Sequence, residues 1–315
     1  MTKIPLKENQ KERLKRLEDK LKLACLKTDI SAAKSLIIDL QDFLRPLGQE
    51  TKLMELKNWL FECAIEANEL ELAIEGLKGI RQKVSKTTRV HLEATSLLAI
   101  AYIKSEDLTN AKLFITEVLK NDKVIRSLSK RRQFRKSIIE KFDEEITLVS
   151  MKNIGNEILH DEEINSMALK LVESSTEKNL FEQIGIAIPA KTLNSIKMLD
   201  DYAKQQLPAS ERLQLPSPES EIESSSVGKK LFSAVKKTIY NSLCDKESDI
   251  YKTWFNEGMT IVLNKKYITS SVIACLTGFG IGIKAIAASV VALIVKFGIE
   301  VYCNFYKPKT IMEYR

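Results

Sequence analysis

The sequence predicts an all-α protein, and three observations carry that prediction. Helix breakers are scarce: the 315 residues include only 11 glycines and 7 prolines, and Pro5 and Pro46 are the only prolines before residue 189. Such stretches favour helix, since proline costs about 3 kcal/mol and glycine about 1 kcal/mol in a helix interior. Apolar residues recur within them at helical periodicity. Hydrophobic residues make up 44% and charged residues 29% of the chain, the balance of a globular protein long enough for two cores.

The chain repeats itself. Leu98-Ala99, Tyr102, Asp107, Ala111, Ile115 and Val118 read as a helix, a tight turn and a second helix. Ala99 and Ala111 let two antiparallel helices approach closely, and Asp107 sits where a turn residue belongs. Phe61, Ala64, Asn68-Glu69, Ala73, Leu77 and Ile80 repeat the pattern about 38 residues upstream. Leu21, Ala24, Asp29, Ala33, Ile37 and Leu40 repeat it about 40 residues earlier still.

On these residues, the span from about 13 to 125 resembles the tetratricopeptide (TPR) family. The third unit matches best, with a small residue, an aromatic and an alanine at the family's spacing. The first two depart from it, with Ala24 and Ala64 in place of the aromatic. The period also exceeds the family's usual ~34 residues, which implies longer loops. The resemblance implies stacked helix pairs, an α-solenoid whose concave face grips peptides or partner helices. A helical bundle without a groove is the alternative that periodicity alone leaves open.

Residues 1–126 are thus expected to form TPR-like repeats and 127–206 a helical extension, with helices at 161–175, 177–186 and 190–206 and a cap at His160 or Asp161. The extension opens with an unusual charge order. Lys130, Arg131, Arg132, Arg135 and Lys136 come first, and Asp143, Glu144 and Glu145 last, the reverse of what the helix dipole favours. With Lys120, Lys123 and Arg126 they form a basic cluster, a candidate docking site for an acidic partner or phosphate. The alternative is a solvated face paired to acids on neighbouring helices. Nucleic acid fits least, because Phe134 is the only interleaved aromatic.

Residues 207–227, with three prolines and six serines, read as a flexible linker. Beyond it lies the charge excess. The whole chain carries +7, and from Gly228 onward thirteen Lys/Arg face six Asp/Glu. Within 228–315, a basic amphipathic helix places Leu231, Phe232, Val235, Ile239 and Leu243 on one side, with Lys229, Lys230, Lys236 and Lys237 largely away from it. Such a helix docks on an anionic membrane or a partner, or packs on its own domain.

The run Val272–Val295 holds 24 residues and a single charge, Lys284. As one spanning helix it would bury that lysine at the bilayer midplane, at a cost of about 2.5–3.5 kcal/mol. Gly278, Gly280 and Gly282 favour a turn or a close packing seam instead. Residues 260–306 are therefore expected to form a buried hydrophobic helical hairpin, with membrane entry as the competing reading.

Five cysteines at 25, 63, 244, 275 and 303, odd in number, widely spaced and without C-x-x-C, predict free buried thiols in a reducing compartment. The charged N-terminus lacks an apolar h-region, so no secretory signal is expected. The two histidines, His91 and His160, form no metal constellation in sequence, and Ser226-Val-Gly-Lys-Lys lacks the earlier glycine and following Ser/Thr of a Walker A loop. No hydrolase, zincin or kinase motif appears.

The expected function is therefore non-enzymatic and cofactor-free. The protein reads as an adaptor or scaffold that recognises a protein partner through its repeats and presents a C-terminal hydrophobic module. The alternative is a membrane-acting effector, toxin-like by architecture as in bacterial defence, whose apolar segment within 229–306 inserts under control of the repeats. Nucleic-acid binding through 120–136 is weaker. The expected location is the cytoplasm, with membrane association in the second reading, and a homo-oligomer fits the apolar module.

Overall fold

The computed structural model describes residues 4–212, 224–246, 250–252, 266–307 and 310–313. The described residues are helical, with no strand among them. The helices are α1 Glu8–Leu26, α2 Ile30–Leu44, α3 Glu50–Glu66, α4 Leu70–Lys83, α5 Arg89–Lys104, α6 Leu108–Asn121, α7 Leu128–Met151, α8 Asp161–Ser174, α9 Glu177–Ile186 and α10 Ala190–Gln205. They continue with α11 Ala209–Arg212, α12 Ser224–Cys244, α13 Tyr267–Gly278, α14 Lys284–Phe297 and α15 Ile299–Phe305. Short 3-10 turns occur at Asp122–Val124 and Ile311–Glu313. The chain divides into two compact units. The first is Met1–Phe142 with Tyr202–Ala209 and Lys309–Arg315, and the second is Asp143–Asp201 with Ser210–Pro308. Most of the 207–227 linker expectation, and residues 260–265 of the hairpin expectation, lie outside the described residues.

In the first unit, each of α1 to α6 packs on the next, and α1, α3 and α5 also pack on one another in sequence. The reversals after α1, α3 and α5 are built alike. Thr28, Asn68 and Glu106 adopt left-handed backbone, with φ of 56°, 62° and 63°. The following residue then donates to a carbonyl five positions back: Asp29 N to Ala24 O at 2.9 Å, Glu69 N to Ala64 O at 2.8 Å, and Asp107 N to Tyr102 O at 3.0 Å. These bonds satisfy carbonyls the helix end would leave unpaired. Asp29 and Asp107 then cap the next helix, accepting from Ala32 N at 2.9 Å and Asn110 N at 3.0 Å. Glu69, one methylene longer, makes no such cap. Ala33, Ala73 and Ala111 occupy the fourth position of α2, α4 and α6 and are wholly buried, so each second helix closes on its predecessor directly after the turn.

Arg81, His91 and Glu117 tie α4, α5 and α6 together. Arg81 reaches both Glu117 oxygens at 2.7 Å, and His91 Nε2 lies 3.2 Å from Oε1. Burial pushes the Glu117 carboxyl up, but the hydrogen bonds from Arg81 and His91 outweigh it and leave the pKa below the ordinary 4.5. A carboxylate with a depressed folded pKa stabilises the fold above its unfolded value, and that contribution disappears as pH falls through the folded value. Urea titrations should therefore show wild type losing stability below about pH 4.5 more steeply than Glu117→Gln. Parallel acid limbs would rule this ion pair out as a contributor.

In the second unit, α14 is the central element. The nine residues Ile286–Ile294 are all buried, packed against α8, α9 and α13. Helices α9 and α12 cross at backbone contact: a Cβ at Gly185 would run into the Ser224 carbonyl, and one at Gly228 into the Phe181 carbonyl. Phe181, Phe232, Phe297, Tyr302 and Tyr306 form an aromatic cluster beside this crossing, with centroids 5.3–6.3 Å apart.

The apolar run is broken at residues 279–283, where the chain pairs with the segment after α7. Gly282 N donates to Ile154 O at 2.9 Å, and Gly282 O accepts from Glu157 N at 3.0 Å. Gly280 takes a φ of 70°, and a Cβ at Gly282 would strike the Glu157 backbone. These two glycines thus serve a close backbone approach, whereas Gly278 faces open space. Lys284 begins α14, where its ammonium lies 2.8 Å from Glu163 and its backbone N donates to Glu157 at 2.7 Å.

One expectation is overturned. Cys244 and Cys303 form a disulfide, with Cα atoms 5.4 Å apart. Packing of α15 on α12 brings together two cysteines 59 residues apart in sequence, a proximity that spacing alone does not encode. Cys25, Cys63 and Cys275 are buried and take no part in that disulfide. Burial is the main reason the Cys275 thiol is pushed up to about 12, so it is a packing residue.

Candidate functional site

The α3/α5 face of the first unit holds the most specific constellation. A surface helix of a globular protein normally buries one stripe. Here every residue of α5 from Val90 to Ile103 is buried, and α3 buries Asn58 and Glu62 among its apolar residues. The turn Ile311–Glu313 packs against both helices. Ile311 and Met312 are 2% and 1% exposed. Their backbone N–H groups donate to the two oxygens of Glu62, at 2.5 Å and 3.3 Å. Glu62 is itself only 6% exposed. A carboxylate this deeply buried is costly unless donors meet it, and two come from a segment some 250 residues away. The segment is compact: Thr310 N donates to its own Glu313 carboxylate at 2.8 Å.

Beside this segment lies a cavity of about 440 Å³, bounded by Glu18, Lys22 and Leu26 of α1, by Glu55, Leu56 and Trp59 of α3, and by Met312 and Glu313. Lys52 sits between the two acids, 2.9 Å from each of Glu18 and Glu55. The Lys22 ammonium lies 5.9 Å from the Trp59 ring centroid. Neither Glu62 nor the Thr310–Glu313 segment stands out in the sequence. A glutamate on a helix and a short aliphatic stretch near the chain end carry no periodic signal, and only tertiary contact joins them.

The basic cluster is divided by its environment. Arg131 donates from Nε and Nη2 to Ile125 O at 3.1 Å and 3.0 Å, and buried Arg135 pairs with buried Asp122. Lys130, Arg132 and Lys136 are exposed. The charge order of α7 thereby acquires a cause. Its early bases satisfy acceptors in the turn before it, and in the second unit its late acids meet α12. Lys230 lies 3.0 Å from Asp143 and Lys236 lies 3.2 Å from Glu144. These buried and half-buried contacts outweigh the few tenths of a kcal/mol, ~0.3–1, that the dipole costs per exposed charge.

The stripe Leu231, Phe232, Val235, Ile239 and Leu243 is buried within the second unit, each at 3% exposure or less. Its helix packs on α9, α13 and α15, so in this conformation the stripe is committed to its own core. Lys236 is tied to Glu144 and Lys237 is half-buried. No single helix among the described residues is long and apolar enough to cross a membrane; α14 and α15 pass that test only together, bent by 91°. His160 precedes α8 at the N-cap, and no group of three His, Cys, Asp or Glu able to hold a metal occurs among the described residues. No family model, curated protein or solved structure matches this chain.

Proposed function

We propose that this is a non-enzymatic interaction protein whose helices α1–α6 form a TPR-like array that holds a polypeptide segment on its α3/α5 face. The observation that carries this reading is the double hydrogen bond from the Ile311 and Met312 backbones to buried Glu62. A few fixed polar groups that meet backbone atoms, with apolar contact for the flanking side chains, form one kind of site that holds an extended or turned segment. The near-identical left-handed turns at Thr28, Asn68 and Glu106 support a repeating architecture. The test compares full-length wild type with Glu62→Gln, matched for thermal melting, as immobilised baits in extract of the native host. The reading expects partners that wild type retains and Glu62→Gln loses. Identical retained sets would mean the face is not the recognition surface.

A second reading has one observation in its favour. Helices α13 and α14 are apolar and packed on each other, and α14 is buried throughout Ile286–Ile294, a run without a charged residue. A membrane-acting effector would release it. Dye leakage from anionic vesicles on addition of full-length protein supports that reading, and intact vesicles at saturating protein reject it.

A further inference from the structure

The segment Thr310–Glu313 occupies the face that the proposed function assigns to recognition. The inference drawn from it rests on that reading and concerns what else can sit there. Three features define the occupant's chemistry. Glu62 accepts from two successive backbone N–H groups, which excludes proline at both positions. The first side chain, Ile311, is aliphatic and 2% exposed. The second, Met312, borders the cavity whose walls include Leu26, Leu56 and Trp59 together with the charged Glu18, Lys22 and Glu55, so a group larger than methionine has room to extend along its apolar wall. The acid that follows folds the segment into a turn by capping Thr310.

We infer that the α3/α5 face is a docking site for a segment of a partner protein with the pattern aliphatic, bulky aromatic, acidic, and that residues 310–313 are a resident competitor the partner must displace. The competitor's hold is modest, made of two backbone hydrogen bonds and two apolar side chains. Its strength comes from tethering, because an attached segment acts at an effective concentration of about a millimolar. A free segment therefore binds the wild-type chain more weakly than a chain whose own segment cannot sit, by the factor of closed over open forms, about ten- to a hundredfold. An aromatic ring in the second place buries more apolar surface than methionine and extends into the cavity beside Trp59 and Leu56, which gives the partner its advantage over the resident segment.

The experiment uses the full-length chain and a labelled peptide of residues 307–315, read by fluorescence anisotropy. The double variant Ile311→Asp/Met312→Asp should bind the peptide at least about tenfold more tightly than wild type. A peptide carrying Met312→Phe should bind more tightly than its parent. Adding Glu62→Gln to the double variant should weaken binding about tenfold, because the amide N–H₂ turns one acceptor into a donor. A peptide N-methylated at both donors should not bind. Where the aspartates disturb folding by circular dichroism, Ile311→Gly/Met312→Gly serves in their place.

Equal affinity for wild type and double variant would overturn the resident competitor while leaving segment recognition standing. A folded double variant that binds no peptide would overturn segment recognition as well. A wild-type dimer that becomes a monomer in the double variant, by light scattering, would assign the face to a second copy and overturn the partner-protein assignment.

Discussion

Leu293→Asp is expected to unfold the second unit. Leu293 has no exposed surface and sits in the run Ile286–Ile294, enclosed by α8, α9 and α13. The substitution removes a packed side chain, at about 2–5 kcal/mol, and leaves a carboxylate without a partner, at a further several kcal/mol until it protonates. The sum is comparable to the whole stability of an ordinary domain, about 5–15 kcal/mol. Urea unfolding followed by circular dichroism should show the second-unit transition lost or shifted by at least ~4 kcal/mol. Leu293→Met, which conserves volume, should cost less than ~1.5 kcal/mol. An aspartate variant within about 0.5 kcal/mol of wild type, the range of an ordinary surface change, would mean α14 is not packed at rest. A helix held open to water at rest would tolerate the aspartate far better.

Gly228→Val is the second large effect. The Gly228 Cα faces the Phe181 carbonyl and the Gly185 backbone, and Gly185 in turn faces Ser224. These are backbone atoms in helices, with no flexible end to move aside. A side chain at either glycine forces α9 and α12 apart and loosens Leu231, Val235 and Phe232 beneath them. Overpacking of this kind costs about 1–3 kcal/mol, and the backbone obstacle places Gly228→Val at the upper end or beyond. Gly278→Ala supplies the contrast. Gly278 ends α13, and nothing lies within 4 Å of the place its methyl would take, so alanine there should be neutral or gain up to about 1 kcal/mol. Thermal melts of the two variants should therefore move in opposite directions or differ by several degrees. If both variants melt with wild type, the close crossing is absent in solution.

Helix placement was largely legible in the sequence. The ranges expected for α8, α9 and α10 agree with the observed helices to within a residue at each end. The three turns were visible because Asp29, Asn68-Glu69 and Asp107 sit between apolar periodic stretches, and a turn is a local event determined by a few neighbouring residues. The role of the glycines was legible only in part. Gly278, Gly280 and Gly282 read alike in sequence, yet only the last two lie at a backbone contact. Gly228 stands in a stretch whose only local resemblance is to an incomplete phosphate loop, and nothing in that stretch announces a helix crossing.

What the sequence determined by itself was thus the all-α class and the amphipathic stripes, because 3.6-residue periodicity and the absence of breakers act within a few turns of chain. What only the tertiary structure decided was where each apolar or charged face is spent. The α12 stripe, which in sequence suits a membrane or partner, is buried in a helix packed on α9, α13 and α15. Lys284, alone in an apolar run, meets Glu163 from 121 residues away. Cys244 finds Cys303, and Glu62 finds Ile311 and Met312. Such pairings follow from the relative placement of whole helices, in which residues distant along the chain become neighbours, and no local pattern of residue types carries that information.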